Sequence, residues 1–136
     1  MCSRIVKVFA AGCLCVVVAM PSSGQTPALK ALMREKLSHS QQLLDAVVTS
    51  RWVQLEAHAV ALRKLTGRPA WMVLQSPEYA RQTAIFTRAL DDLVEAARRK
   101  DLEATPVAYT AMTMSCVQCH RQVARMRMAD SPASTR

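Results

Sequence analysis

Three of the four hydroxyl–proline pairs, those ahead of the polar tail, constrain this chain more than any other feature: Thr26-Pro27, Ser76-Pro77 and Thr105-Pro106. A Ser or Thr hydroxyl accepts a free amide hydrogen at the start of a helix. Proline at the first helical position has its φ already set and lacks an N–H that would go unpaired there. Each pair therefore reads as a helix start. Apolar residues recur at helical spacing after each one, and no segment shows the alternation of a half-buried strand.

The first segment carries Leu29, Met33, Leu37, Leu44 and Val47 as its apolar stripe, with the polar Ser40 in the gap. Thr49 or Ser50 caps a second segment with the stripe Trp52, Leu55, Ala59 and Leu62, and Gly67 is its natural stop. Gly67 to Ser76 reads as a loop. Its patch Trp71-Met72-Val73-Leu74 is expected to fold back on the core, because exposed apolar runs of that kind are rare. The third segment starts at Ser76-Pro77-Glu78 and carries Tyr79, Thr83, Phe86, Leu90, Leu93 and Ala97. Arg98-Arg99-Lys100 lie in its last turn, where cations favour the negative end of the helix dipole. The fourth begins at Asp101 or, with Pro106 in its first position, at Thr105. Its stripe is Tyr109, Met112, Cys116, Cys119 and Val123, and the polar tail from Asp130 is expected to fray. The fold class predicted is all-α: an antiparallel four-helix bundle with a cofactor between helices.

At 136 residues the chain suits one domain. Residues 1–24 have the form of a secretory signal peptide. Arg4 and Lys7 precede an apolar run from Val8 to Met20, Pro21 to Gly24 break it, and small Ser22 and Gly24 stand before Gln25. The run is short for a membrane span. A periplasmic mature domain, 25–136, with no membrane insertion after cleavage, is the expectation. Of five cysteines, only Cys116 and Cys119 then remain, which excludes a disulfide framework. Losing Arg4 and Lys7 takes 18 basic residues to 16 against 10 acidic ones, a net charge of +6. A mild positive field suits acidic partner proteins. The dispersed basic residues lack the aromatic platform that nucleic acid binding calls for.

The chemistry lies in Cys116-Val117-Gln118-Cys119-His120. This C-x-x-C-H form reads as a c-type haem attachment site. Two thiols can bond the two vinyl groups of a haem, and the imidazole can ligate the iron. At 100° per residue the three side chains fall within an arc of about 100° on one helix face. A dithiol redox motif calls for a thioredoxin-like α/β pattern, of which there is no sign. A structural zinc site calls for four ligands, and at most three are present.

An exported helical chain with this motif near its C-terminal end resembles the class II cytochromes c, the cytochrome c′ and cytochrome c-556 type proteins. The likeness runs over the whole mature chain: Met33-Arg34, the Trp71 loop, Pro77-Glu78-Tyr79, Asp101-Leu102, and Ala108-Tyr109 before Cys116. Only the haem motif among these is highly specific. The resemblance implies a bundle holding covalent haem c through Cys116 and Cys119, with His120 as fifth iron ligand. In cytochromes c′ the sixth position is empty and binds NO or CO. In the c-556 type a first-helix methionine fills it. Met33 is the favoured sixth ligand, since a thioether stabilises ferrous iron. The competing reading is that Met33 fills a gap in the core, with Leu37 shielding an open site.

Arg34 is expected to pair with a haem propionate, and Met112 and Met114 to pack against the ring. His39 is expected to be exposed and His58 half-buried. The family's usual basic residue four positions after the ligating histidine is Ala124 here, flanked by Arg121 and Arg125, which favours electron transfer over gas discrimination. The expected function is that of an electron carrier for redox partner proteins, not an enzyme. The alternative is a five-coordinate protein binding NO or CO. A homodimer through the first two helices, common among relatives, is the other partner considered.

Overall fold

The computed structural model describes residues 26–72 and 75–130, with the Asp130 side chain left out. The segment read as a signal peptide, Val73-Leu74 of the apolar loop, and the tail beyond Asp130 lie outside the described residues. The rest forms four helices: α1 (Pro27–Val48), α2 (Trp52–Leu65), α3 (Pro77–Arg99) and α4 (Ala104–Asp130). No strand occurs among the described residues.

Each helix packs on the next in chain order, and α4 returns to meet α1. Paired residues run in opposite directions along neighbouring helices. Arg63 pairs with Asp91 at 2.9 Å and Arg98 with Glu56 at 2.8 Å across α2 and α3. These exposed pairs are worth little in energy but report the antiparallel register. The result is a helical bundle in which α1 and α4 meet far less closely than the other neighbours do.

The proline starts form as expected for α1 and α3. Thr26 Oγ1 accepts from the Leu29 N–H at 3.2 Å, and Ser76 Oγ accepts from the Tyr79 N–H at 3.1 Å. α4 takes the earlier of its two starts. Asp101 Oδ1 accepts from the Glu103 and Ala104 N–H groups at 3.0 and 2.8 Å. Pro106 then lies inside the first turn, where an amide hydrogen has no helical partner in any case. α3 ends on Lys100 in the left-handed conformation, φ 54° and ψ 40°, after Arg98 and Arg99.

α2 differs from its sequence reading at both ends. Neither Thr49 nor Ser50 caps it. Arg51 occupies the cap position without a side-chain capping bond, while Ser50 takes φ 54° so that the chain reverses within three residues. Gly67 is not in the left-handed region; Thr66 closes the helix in a right-handed turn. The left-handed freedom of glycine is thus unused. A Cβ built on Gly67 would meet only the Lys64 carbonyl, at 3.7 Å. Gly67→Ala should therefore be stabilising by about 0.4–1 kcal/mol, through the unfolded chain, on a urea melt.

The core joins Leu43, Leu55, Leu62, Phe86, Leu90, Leu93 and Met112. The stripe of α1 sits one residue earlier than read. Leu32, Lys36, Leu43 and Ala46 are buried, whereas Leu37 and Leu44 are 59% and 48% exposed. α1 has two apolar stripes about 100° apart. One meets the core; the other faces the seam with α4. Trp71 folds back on the core as expected, stacked on Phe86 with ring centroids 5.5 Å apart, whereas Met72 is exposed.

Candidate functional site

The loose α1–α4 seam opens into a cleft of about 250 Å³. Met33, Lys36, Leu37 and Leu44 line it from α1, and Tyr109, Met112, Cys116 and His120 from α4. The two helices put these residues at the same height because they run antiparallel: residues low on α1 face residues high on α4. Tyr109 ties the upper part, its hydroxyl donating to the Ser40 carbonyl at 3.4 Å.

The cleft gathers Met33, Met112, Cys116 and His120 from the sequence-read site. Met112 is fully buried; Met33 and Cys116 are half-buried. Cys119 turns toward α3, beside Tyr79, Gln82, Val123 and Met126. This follows from its position 300° around the helix from Cys116, on the other side from His120. Arg34 is exposed and lines no part of the cleft. Among the described residues no group of three or more His, Cys, Asp or Glu converges to hold a metal ion.

Burial pushes the Cys119 thiol above its ordinary value, partly offset by the Lys36 cation and reinforced by Cys116. His120 is exposed at the rim of the cleft. The cover it does have, then the nearby Lys36 cation, hold it below the usual histidine value. Its imidazole is neutral at pH 7, which leaves one nitrogen lone pair free.

Lys36 is the residue that sequence reading missed. It is 93% buried by its 7% exposure, and its Nζ lies 4.7 Å from the Trp71 ring centre and 4.0 Å from that of Phe86. No carboxylate pairs with it among the described residues. The signal was present: Lys36 follows Met33 by three positions and shares its helix face. A charged residue within an apolar stripe is worth noting because such residues are seldom buried unpaired.

His39 was expected to be exposed but is half-buried, and its Nδ1 lies 3.0 Å from Nδ1 of His58. The register between α1 and α2 brings the two rings together, and no reading of α1 alone contains that. His58 is half-buried, as read.

Tyr79 sits beside Cys119 and donates its hydroxyl to the Trp71 carbonyl. Burial, then the neighbouring thiol, push its phenol up to about 12 from 10.0. The fold thus favours the neutral phenol. That stabilisation is intact below pH 10 and is lost as pH rises through about 12. A phenolate absorbance titration should show one tyrosine ionising late, and Tyr79→Phe should remove that late component. Two tyrosines that both ionise near pH 10 would contradict it.

A larger groove, about 720 Å³, runs between α2 and α3 past Arg63, Asp91, Glu95 and Arg98. It holds surface ion pairs and no thiol or imidazole. Met33, Cys116 and His120 lie at the α1–α4 cleft instead, with Cys119 on the α3 side of the same stretch of α4. No protein-family model matches this chain, and no curated protein or solved structure gives a significant match to it.

Proposed function

We propose that this chain is a c-type cytochrome of the class II kind that carries electrons. One observation carries the reading: an apolar cleft with Cys116 and His120 on one wall and Met33 on the other. The donor set fits a haem. The Cys116 thiol lines the cleft and the Cys119 thiol lies on the α3 side of the same stretch of helix; an imidazole stands at the cleft rim, and a thioether lines the cleft from α1. The exposed Leu37 and Leu44 along the cleft are apolar surface that a large flat ring would cover. The unpaired Lys36 cation suits a ligand that carries carboxylates.

In this reading Cys116 and Cys119 would hold the ring covalently, and His120 and Met33 would ligate the iron. When bound, the group supplies a one-electron ferric–ferrous couple. The chain positions it, keeps water from the Met33 side, and tunes its potential through the thioether and the apolar wall. Lys36 takes the propionate-pairing role first given to Arg34. Export to the periplasm and docking to redox partner proteins belong to the same proposal.

Expression in cells competent for cytochrome maturation tests it. Mature protein should be red and carry a haem mass that survives denaturation. Bare polypeptide would end the proposal. A low-spin ferric spectrum with a sulfur-to-iron charge-transfer band supports Met33. A high-spin spectrum with rapid CO binding after reduction would replace electron transfer by the open-site alternative. Met33→Ala should convert the first spectrum into the second.

A further inference from the structure

A second group of ligating atoms lies on the α1–α2 seam. His39 on α1 and His58 on α2 direct their Nδ1 atoms at each other across 3.0 Å. The ring centroids are 5.3 Å apart and the planes tilted by 47°. Each neutral imidazole has one N–H and one lone pair, so this contact holds a single hydrogen.

The spacing is close to what a chelated ion requires. With metal–nitrogen bonds of about 2.0–2.1 Å, two ligand nitrogens stand about 2.9 Å apart at a right angle and about 3.3 Å at a tetrahedral one. The observed separation falls between these values. The donors sit on separate helices whose register is held on both sides. Toward the α1–α2 turn, the Arg51 N–H donates to the Ala46 carbonyl at 2.9 Å. Toward the other end, Arg68 holds Glu35 at 2.9 Å. Two fixed helices pre-place the ligands, which reduces the ordering cost of binding. Burial, then the His39 ring, keep His58 below the usual histidine value, which favours the neutral ring that metal binding needs.

We propose that His39 and His58 form a two-nitrogen chelate for a divalent late transition ion of the nickel(II) or copper(II) type, clamping α1 to α2. Water completes the coordination. The hydrogen in the present contact passes through solvent to Nε2 of the same ring. Both Nδ1 lone pairs then face the ion, and the neutral pair releases no net proton. Imidazole nitrogen selects such ions over manganese(II), which prefers oxygen ligands. Glu35, one turn from His39, is engaged by Arg68 and adds no carboxylate. This inference does not depend on the haem reading.

The test uses the untagged full chain, its thiols first blocked by alkylation with iodoacetamide, titrated with nickel(II) chloride and, separately, manganese(II) chloride, by calorimetry. One equivalent of nickel should bind, and manganese should not. The nickel affinity should fall at least about tenfold in both His39→Gln and His58→Gln, as loss of one of two ligands demands. Nickel should also raise the melting temperature of the wild type and not of either variant, since only an ion bound to the folded state stabilises it. Circular dichroism confirms that the variants remain helical. His39→Ala provides a second variant if His39→Gln does not fold. Undiminished nickel binding in both histidine variants would overturn the proposal. So would manganese binding as tight as nickel binding.

Discussion

Trp71→Ala should destabilise the protein by about 3–5 kcal/mol, the range for removing a buried aromatic side chain. Trp71 is 3% exposed, stacks on Phe86, and donates its indole N–H to Thr83 Oγ1 at 3.1 Å. It also forms one face of the pocket around the Lys36 ammonium. Truncation leaves a cavity, an unpaired hydroxyl and a more weakly held cation together. A domain of this size has a total stability of only about 5–15 kcal/mol. The variant is therefore expected to melt far below the wild type, or to be unfolded at 37 °C. Trp71→Phe keeps the stack and loses the hydrogen bond, so it should cost only about 1 kcal/mol. Equal losses for the two substitutions would show that the hydrogen bond, not the ring, anchors the loop.

Lys36→Met should have the opposite sign, stabilising haem-free protein by about 1–2 kcal/mol. Taking an ammonium out of water costs several kcal/mol even after relaxation. Its two ring contacts return about 1–2 kcal/mol each. No carboxylate supplies the rest among the described residues. Methionine keeps the apolar stem and fills irregular space well. A urea melt of protein made without cytochrome maturation reads the gain. In haem-loaded protein the gain should shrink or reverse, because a cation paired with a carboxylate is costly to remove. Equal stabilisation in both forms would detach Lys36 from the haem proposal.

The motif at Cys116–His120 and the starts of α1 and α3 were plain from the sequence, since both depend on neighbours within one turn. A hydroxyl, a proline and three amide hydrogens make a cap with no help from elsewhere. The stripe of α3 was equally legible, because most of its large apolar residues lie on one side. α1 was harder. It carries two adjacent stripes, and nothing local says which one meets the core. The start of α2 was misread because the tight reversal at Ser50 answers to the packing of two helices, not to the best capping residue.

The sequence alone determined that this chain is helical, where α1 and α3 begin, and that two thiols and an imidazole share a single stretch of the last helix. Local backbone bonding and residue spacing decide those matters within a few positions. Only the tertiary structure decided that Met33 faces His120, that Lys36 is buried over two aromatic rings, and that His39 meets His58. Each of these joins residues on different elements. Their meeting depends on the rotation and register of whole helices, which the summed packing of the bundle sets.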